Sequence, residues 1–260
     1  MIGVAAGLLF GLIALGLPVA VVLVITALVL DHFFSFFPVL PAVGDMLWGS
    51  FDNFTLIAVP LFIMTGEVLL RSGIAEDMFE GIDLWVRRIP GGLLHTNIAS
   101  SALFAATSGS SVATAATVGT VAIPQMERGG YRPSLFLGSI AAGGTLGILI
   151  PPSINMIVYG VLAEVSISRL YLAGLIPGLL LALLFSALIF VAFVCVPSLG
   201  RDRRASVSVS DRLRGLAGML PPILLFVLMV GSIYLGLATP IEAAALGLLE
   251  EIETIEESGA

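Results

Sequence analysis

Two short stretches hold the residues whose types and spacing could do chemistry. Thr107-Ser108-Gly109-Ser110-Ser111 sets four hydroxyls around one glycine, and Ile150-Pro151-Pro152-Ser153 sets a proline pair before a serine, with Asn155 two residues on. Both interrupt the run from Gly92 to Ala163, which is otherwise apolar enough for a membrane. A proline pair removes two backbone donors and disfavours the helical region for the residue before it. At mid-bilayer depth freed carbonyls persist only where protein or a polar cavity satisfies them. Each break therefore implies helix ends exposed to a pocket.

Helix N-termini carry free N–H groups and partial positive charge, which suit a carboxylate. Unwound carbonyls, helix C-termini and hydroxyls suit a small hard cation, as in discontinuous-helix secondary transporters. The candidate cation ligands are the hydroxyls of Ser108, Ser110 and Ser111 and the carbonyls near Gly109 and Ile150. Ser153 and Asn155 are expected to add side-chain oxygens or to hold open the break that Pro151 and Pro152 make. No charged residue occurs from Ile89 to Met126 or from Pro133 to Ala163. A proton relay needs membrane carboxylates or histidines, so neutral oxygens favour Na⁺ as the coupling ion. No other cofactor is implied.

A catalytic reading of Ser108-Gly109-Ser110 as a serine nucleophile needs a base beside it. The two histidines are His32, in an aromatic segment, and His95, near the far end of the same run. No catalytic residue is therefore assigned. Phosphate loops and metal-ligand clusters are absent from the sequence, and no nucleic-acid partner is expected.

The elements that must position these breaks follow from composition and periodicity. The chain has 260 residues, 58% hydrophobic and 11% charged, with mean hydropathy +1.11. Soluble domains carry about 25% charged residues, and several apolar runs reach the roughly 20 residues that cross a bilayer. The fold class is an all-α polytopic membrane protein. All 11 basic residues are arginines, and the acids Glu250, Glu251, Glu253, Glu256 and Glu257 crowd the tail, so the net charge of −7 says little about partners. A single cysteine, Cys195, allows no intrachain disulfide.

About five spans are expected: Gly3–Leu30, whose excess length is absorbed by tilt or by a kink at Gly16-Leu17-Pro18, Phe54–Leu70, Ser134–Ala163 interrupted by the proline pair, Leu170–Val196, and Ala217–Ala238 with Pro221-Pro222 near its start. Residues 31–50 read as a loop whose Phe33, Phe34, Phe36, Phe37 and Trp48 suit the headgroup belt; a docking patch is the other reading. Glu67 and Arg71 stand four apart and pair at an interface, although an acid there is also a candidate coupling carboxylate. In 73–92, Ile74, Met78, Ile82 and Trp85 alternate at helical spacing with acids, an amphipathic helix on the membrane surface. Leu93–Ala106 and Val112–Ile123, the latter ended by Pro124, are each too short to span and read as a re-entrant hairpin over 93–124. One continuous span packed through small residues is the alternative. Re-entry puts every arginine except Arg169 on one side, which the positive-inside rule makes cytoplasmic.

At these residues the chain resembles a known family. SGSSVATAATVGTVAIPQMERGGY, AAGGTLGILIPPSINMIVYGVL and LYLAGLIPGLLLALLF closely resemble the large membrane subunit of the tripartite ATP-independent periplasmic (TRAP) transporters, with weaker matches at FIMTGEVLLRSGI, IPGGLLHTNI and ATPIEAAALG. The resemblance covers roughly residues 5 to 247. It implies a Na⁺-driven importer of organic acids, C4-dicarboxylates or sialic acid, in the bacterial inner membrane. It further implies a small membrane subunit and a periplasmic substrate-binding protein as partners, and a transport domain that moves as an elevator against a scaffold. By resemblance Ser108, Gly109, Ser110 and Ser111 fall at an ion site, and Pro151, Pro152 and Ser153 at part of the substrate site. The implied organisation is scaffold spans in 1–72, an interfacial helix in 73–92 and half a transport domain in 93–165, made of the hairpin and the broken helix 134–163. Further spans and an arginine-rich loop fill 166–247, and an acidic tail outside the family pattern fills 248–260. Family members contain two inverted repeats, and this sequence matches one. The expectation is one half of an inverted-repeat transporter that needs a C-terminal complement, with a non-transporting assembly subunit as the alternative.

Overall fold

The computed structural model describes residues 1–35, 40–196 and 208–258. Every regular element among the described residues is a helix. The chain divides into two compact units, 1–53 and 54–260.

In the first unit the expected single span is two helices, α1 (Ile2–Ala14) and α2 (Val19–Phe34). The cause is local. Gly16 lies at φ +75°, its N–H donates to Ile13 O at 2.9 Å, and Leu17 N–H reaches back to Leu12 O at 3.4 Å. This is a Schellman closure, and Pro18 follows it. At 13 and 16 residues each helix falls short of the roughly 20 residues a span requires. The stretch read as a loop over 31–50 contains a further helix, α3 (Val43–Phe51). Phe33 and Trp48 are exposed; Phe36 and Phe37 lie outside the described residues.

The second unit begins with a 3₁₀ turn and α4 (Ala58–Arg71), then α5 (Ile74–Val86). The hairpin follows as α6 (Leu93–Ser108) and α7 (Ser111–Gly129), and the broken segment as α8 (Pro133–Gly144), α9 (Leu146–Leu149) and α10 (Ile154–Leu162). Three long helices close the chain: α11 (Ile167–Cys195), α12 (Val209–Tyr234) and α13 (Pro240–Ser258). Among the described residues, four segments are long and apolar enough to cross a membrane: Phe54–Arg71, Pro133–Leu162, Ile167–Cys195 and Ser210–Tyr234.

Several boundaries differ from expectation. α7 runs through Pro124 to Gly129, because one missing donor does not stop a helix that Gly130, at φ +67°, terminates six residues later. α12 starts at Val209 rather than near residue 217, because Ser208 accepts from Asp211 N–H at 3.1 Å and caps it. The pair Pro221-Pro222 therefore lies inside the helix.

The amphipathic α5 buries Ala75, Met78, Phe79, Gly81 and Ile82. Their apolar partners include Leu69 of α4, Phe104 of α6 and Met219 of α12, so this face packs on protein. A Cβ on Gly81 would collide with Gly215 O, and Trp85 Nε1–H donates to Arg212 O at 3.2 Å. Asp83, expected on the polar face, is buried. Its carboxylate meets Arg87 Nη2 at 2.7 Å and accepts from Thr96 Oγ1 at 3.1 Å.

The last helix continues through the acidic segment. Thr239 and Glu242 form a capping box: Thr239 N–H donates to Glu242 Oε2 at 2.7 Å, and Glu242 N–H to Thr239 Oγ1 at 3.4 Å. Ala243 and Ala244 share a core with Ala58, Phe62 and Ile233, and Glu251 reaches a cavity beside Leu69 and Leu220. α13 thus lies along both α4 and α12.

Candidate functional site

The site is built from three helices in fixed register. Asn97 Nδ2 of α6 donates to Ser139 Oγ of α8 at 2.9 Å. One turn on, Gly143 lies against Ser101, close enough that a Cβ would collide with the serine side chain. Near the end, a Cβ on Gly109 would fall 2.7 Å from Pro152 O. The sequence offset between facing residues barely changes along these contacts, so α6 and α8–α9 run parallel. The hydroxyl-rich break and the proline break consequently lie at the same level. α7 returns antiparallel: Gly144 faces Ala115 and Ser111, and Gly147 faces the Ser110–Ser111 peptide at 2.8 Å from an added Cβ.

At the tip, Gly109 adopts φ +62°, a left-handed conformation that only glycine takes without strain. Its carbonyl accepts the N–H of Ile154 at 3.1 Å, joining the two breaks directly. Ser110 is extended and caps α7, its Oγ accepting from Ala113 N–H at 3.3 Å. Ser108 is fully buried, with Oγ 3.3 Å from Thr114 Oγ1. Thr114 Oγ1 in turn donates to Ser110 O at 2.7 Å. Ser111 is partly exposed at the first turn of α7. Ser108, Gly109, Ser110 and Ser111 thus form one small polar knot.

Across from it, Ile150 ends α9 in an extended conformation, its N–H bonded to Leu146 O at 2.8 Å. Pro151 and Pro152 are buried and joined by a cis bond. Ser153 is fully buried; its Oγ donates to Ile148 O at 2.8 Å, bridging the gap rather than capping α10. Asn155 is exposed on α10 and has no recorded side-chain hydrogen bond. Eight of the nine sequence-selected residues therefore cluster at the meeting of the breaks; Asn155 lies at its margin.

Other contributors are not evident from local sequence. Gly66 of α4 touches Ser108, Gly178 of α11 backs Ile150, and the fully buried Tyr171 lies beside the Ser153 main chain. Thr114 is the exception: a hydroxyl four residues after Ser110 falls on the same helix face. The oxygens gathered at the tip are neutral hydroxyls and carbonyls, a donor set that suits a hard cation.

His95 does not serve the tip serines. It begins α6, about 20 Å of helix from Ser108. Its Nε2–H donates to Pro90 O at 2.9 Å, leaving Nδ1 to accept from Ser186 Oγ at 2.5 Å. Glu67 and Arg71 form an exposed pair at 2.6 Å, away from the site.

The sequence matches the family model described as "Tripartite ATP-independent periplasmic transporter, DctM component" over residues 6–252. It is 39% identical over 202 residues to the C4-dicarboxylate TRAP transporter large permease protein DctM of Pseudomonas aeruginosa, covering 77% of this chain and 46% of that one. Against the sialic acid TRAP transporter large permease protein SiaM of Vibrio cholerae it is 36% identical over 249 residues, covering 96% and 57%. Against the ectoine TRAP transporter large permease protein TeaC of Halomonas elongata it is 33% identical over 247 residues, covering 93% and 56%. The chain spans about half the length of these relatives. It belongs to the DctM-component family of tripartite ATP-independent periplasmic transporters.

Proposed function

We propose that this chain is the hairpin-bearing half of a Na⁺-coupled permease that imports organic acids, of the C4-dicarboxylate or sialic-acid type. The reading rests on the Gly109–Ile154 joint, which brings one tip of hydroxyls and carbonyls against one unwound carbonyl segment. Ser108, Ser110, Ser111 and the Gly109 and Ile150 carbonyls hold Na⁺. Pro151, Pro152, Ser153 and Asn155 shape the adjoining substrate side. There the amides of Asn155 and Met156, next after the Ile154 N–H taken by Gly109 O, lack intrahelical partners and meet a carboxylate.

The α6–α7 hairpin enters the bacterial inner membrane from the cytoplasmic side, where the loops bearing arginines also lie. Transport requires the small membrane subunit, a periplasmic binding protein and a C-terminal complement, with hairpin and broken helix moving together as an elevator. The test is thermal unfolding of the purified chain in NaCl against equal KCl or choline chloride. A Na⁺-specific rise in Tm is expected. Equal Tm values in all three salts would leave a non-transporting scaffold as the function.

A further inference from the structure

A cavity of about 200 Å³ lies where the end of α13 meets α4, α5 and α12. Leu69, Ile74, Leu220 and Leu224 are among its apolar walls, and Glu250 and Glu251 are the ionisable side chains that line it. Glu251 is 3% exposed, and neither of its carboxylate oxygens has a hydrogen-bond partner. Leu220 and Leu224 are each about half exposed, so the cavity opens outward. Among the described residues no arginine lines it. Arg71 is paired with Glu67 at 2.6 Å, and the Arg212 guanidinium lies 6.0 Å from the centre of the Trp85 ring. Arg214 lines an adjoining groove with Asp77, Glu80 and Asp211.

A buried carboxyl without a partner is costly, and buried charges are ordinarily paired. The cavity walls offer Glu251 no cation, so its complement must come from outside the chain. Size limits that complement. An apolar cavity of about 150 Å³ holds benzene, so this one holds a ring or short alkyl body with one small polar group. Ligand sites combine such apolar walls with a few placed polar groups. An ammonium supplies both the opposite charge and the donor hydrogens, and charge-assisted hydrogen bonds are roughly twice as strong as neutral ones. We infer that this cavity binds a small apolar amine, its ammonium on Glu251 and its hydrocarbon body against Leu69, Leu220 and Leu224. None of these residues belongs to the hairpin tip, and the inference stands apart from the Na⁺ site proposed above.

The test is calorimetric titration of the purified full chain, with detergent alone as the blank, at about pH 8, where the buried carboxyl is about half ionised. The probes are benzylammonium and benzyl alcohol, a neutral counterpart of nearly equal size. Benzylammonium should bind about tenfold more tightly than the alcohol. Glu251→Gln should remove that preference, and Leu224→Trp, which fills the cavity, should weaken both ligands. Equal affinities of the two probes for the wild type, or a preference that survives Glu251→Gln, overturns the inference. Should the glutamine variant not fold, the filled cavity decides: an unchanged benzylammonium affinity in Leu224→Trp overturns it equally. The Na⁺-specific rise in Tm is read in a separate experiment without amine, so either reading can fail while the other stands.

Discussion

The amide of Ile154 donates to the carbonyl of Gly109 at 3.1 Å, so the residue that turns the hairpin also receives the first amide of the helix restarting after the proline pair. One bond thereby couples two chain interruptions that lie more than forty residues apart in sequence. Anything that shifts the tip must shift the start of α10 with it.

Gly109→Ala tests that coupling. An L-residue at φ +62° costs roughly 1–2 kcal/mol, and its Cβ would lie 2.7 Å from Pro152 O, forcing the breaks apart. The variant should lose the Na⁺-specific rise in Tm entirely. A variant that keeps the full rise would show that the joint is dispensable for ion binding.

Ser110 is both a helix cap and a proposed ligand, and two substitutions separate these roles. Ser110→Ala removes the cap of α7 and should lower unfolding stability by about 1 kcal/mol. Ser110→Asn keeps a capping oxygen and should recover most of that stability in denaturant titrations. If Ser110 also ligates Na⁺, the asparagine variant should still bind the ion several-fold more weakly.

Two ion pairs of equal spacing should behave differently. Glu67–Arg71 has side chains 53% and 78% exposed, whereas Asp83–Arg87 has 5% and 21%. Glu67→Ala should change stability by less than about 0.5 kcal/mol. Arg87→Ala leaves the buried Asp83 carboxylate without its guanidinium and should cost on the order of 2 kcal/mol or more. Matched urea titrations in one detergent would read the difference.

Glu251 is 3% exposed and neither carboxylate oxygen has a hydrogen-bond partner. Burial beside Leu69, Leu220, Pro221 and Leu224 raises its pKa from 4.5 to about 8. The folded state then holds a proton that the unfolded state has released, so stability falls as pH rises from about 4.5 and levels off above about 8. Glu251→Gln should flatten that slope, and Glu251→Leu should raise Tm at pH 8. Thermal scans between pH 5 and pH 9 (about half a unit apart) check both outcomes.

Much of this organisation was legible before any coordinates. The proline pair and the Ser-Gly-Ser turn announce their own breaks, because missing donors and a left-handed glycine act through the nearest few residues. The periodic α5 and the long apolar α11 announced themselves similarly. Short-range chemistry also misled where a cap outweighed a proline: α7 passes Pro124, and α12 reaches back to Ser208 and encloses Pro221-Pro222. The first apolar run read as one span, bent at most at Gly16-Leu17-Pro18, because hydropathy does not register that a Schellman turn at Gly16 ends the helix there.

By itself the sequence determined the class of structure, the two interruptions and the neutral chemistry of their oxygens, since each depends on residue type and immediate spacing. Only the tertiary structure decided that Gly109 meets Ile154, that Gly66, Gly178 and Tyr171 wall the site, and that Asn155 stands at its edge. Those relations depend on the parallel register of α6 with α8–α9, set by Asn97 on Ser139 and Ser101 on Gly143. Side chains far apart in sequence fix that register by fitting together, and neither partner's type specifies the other.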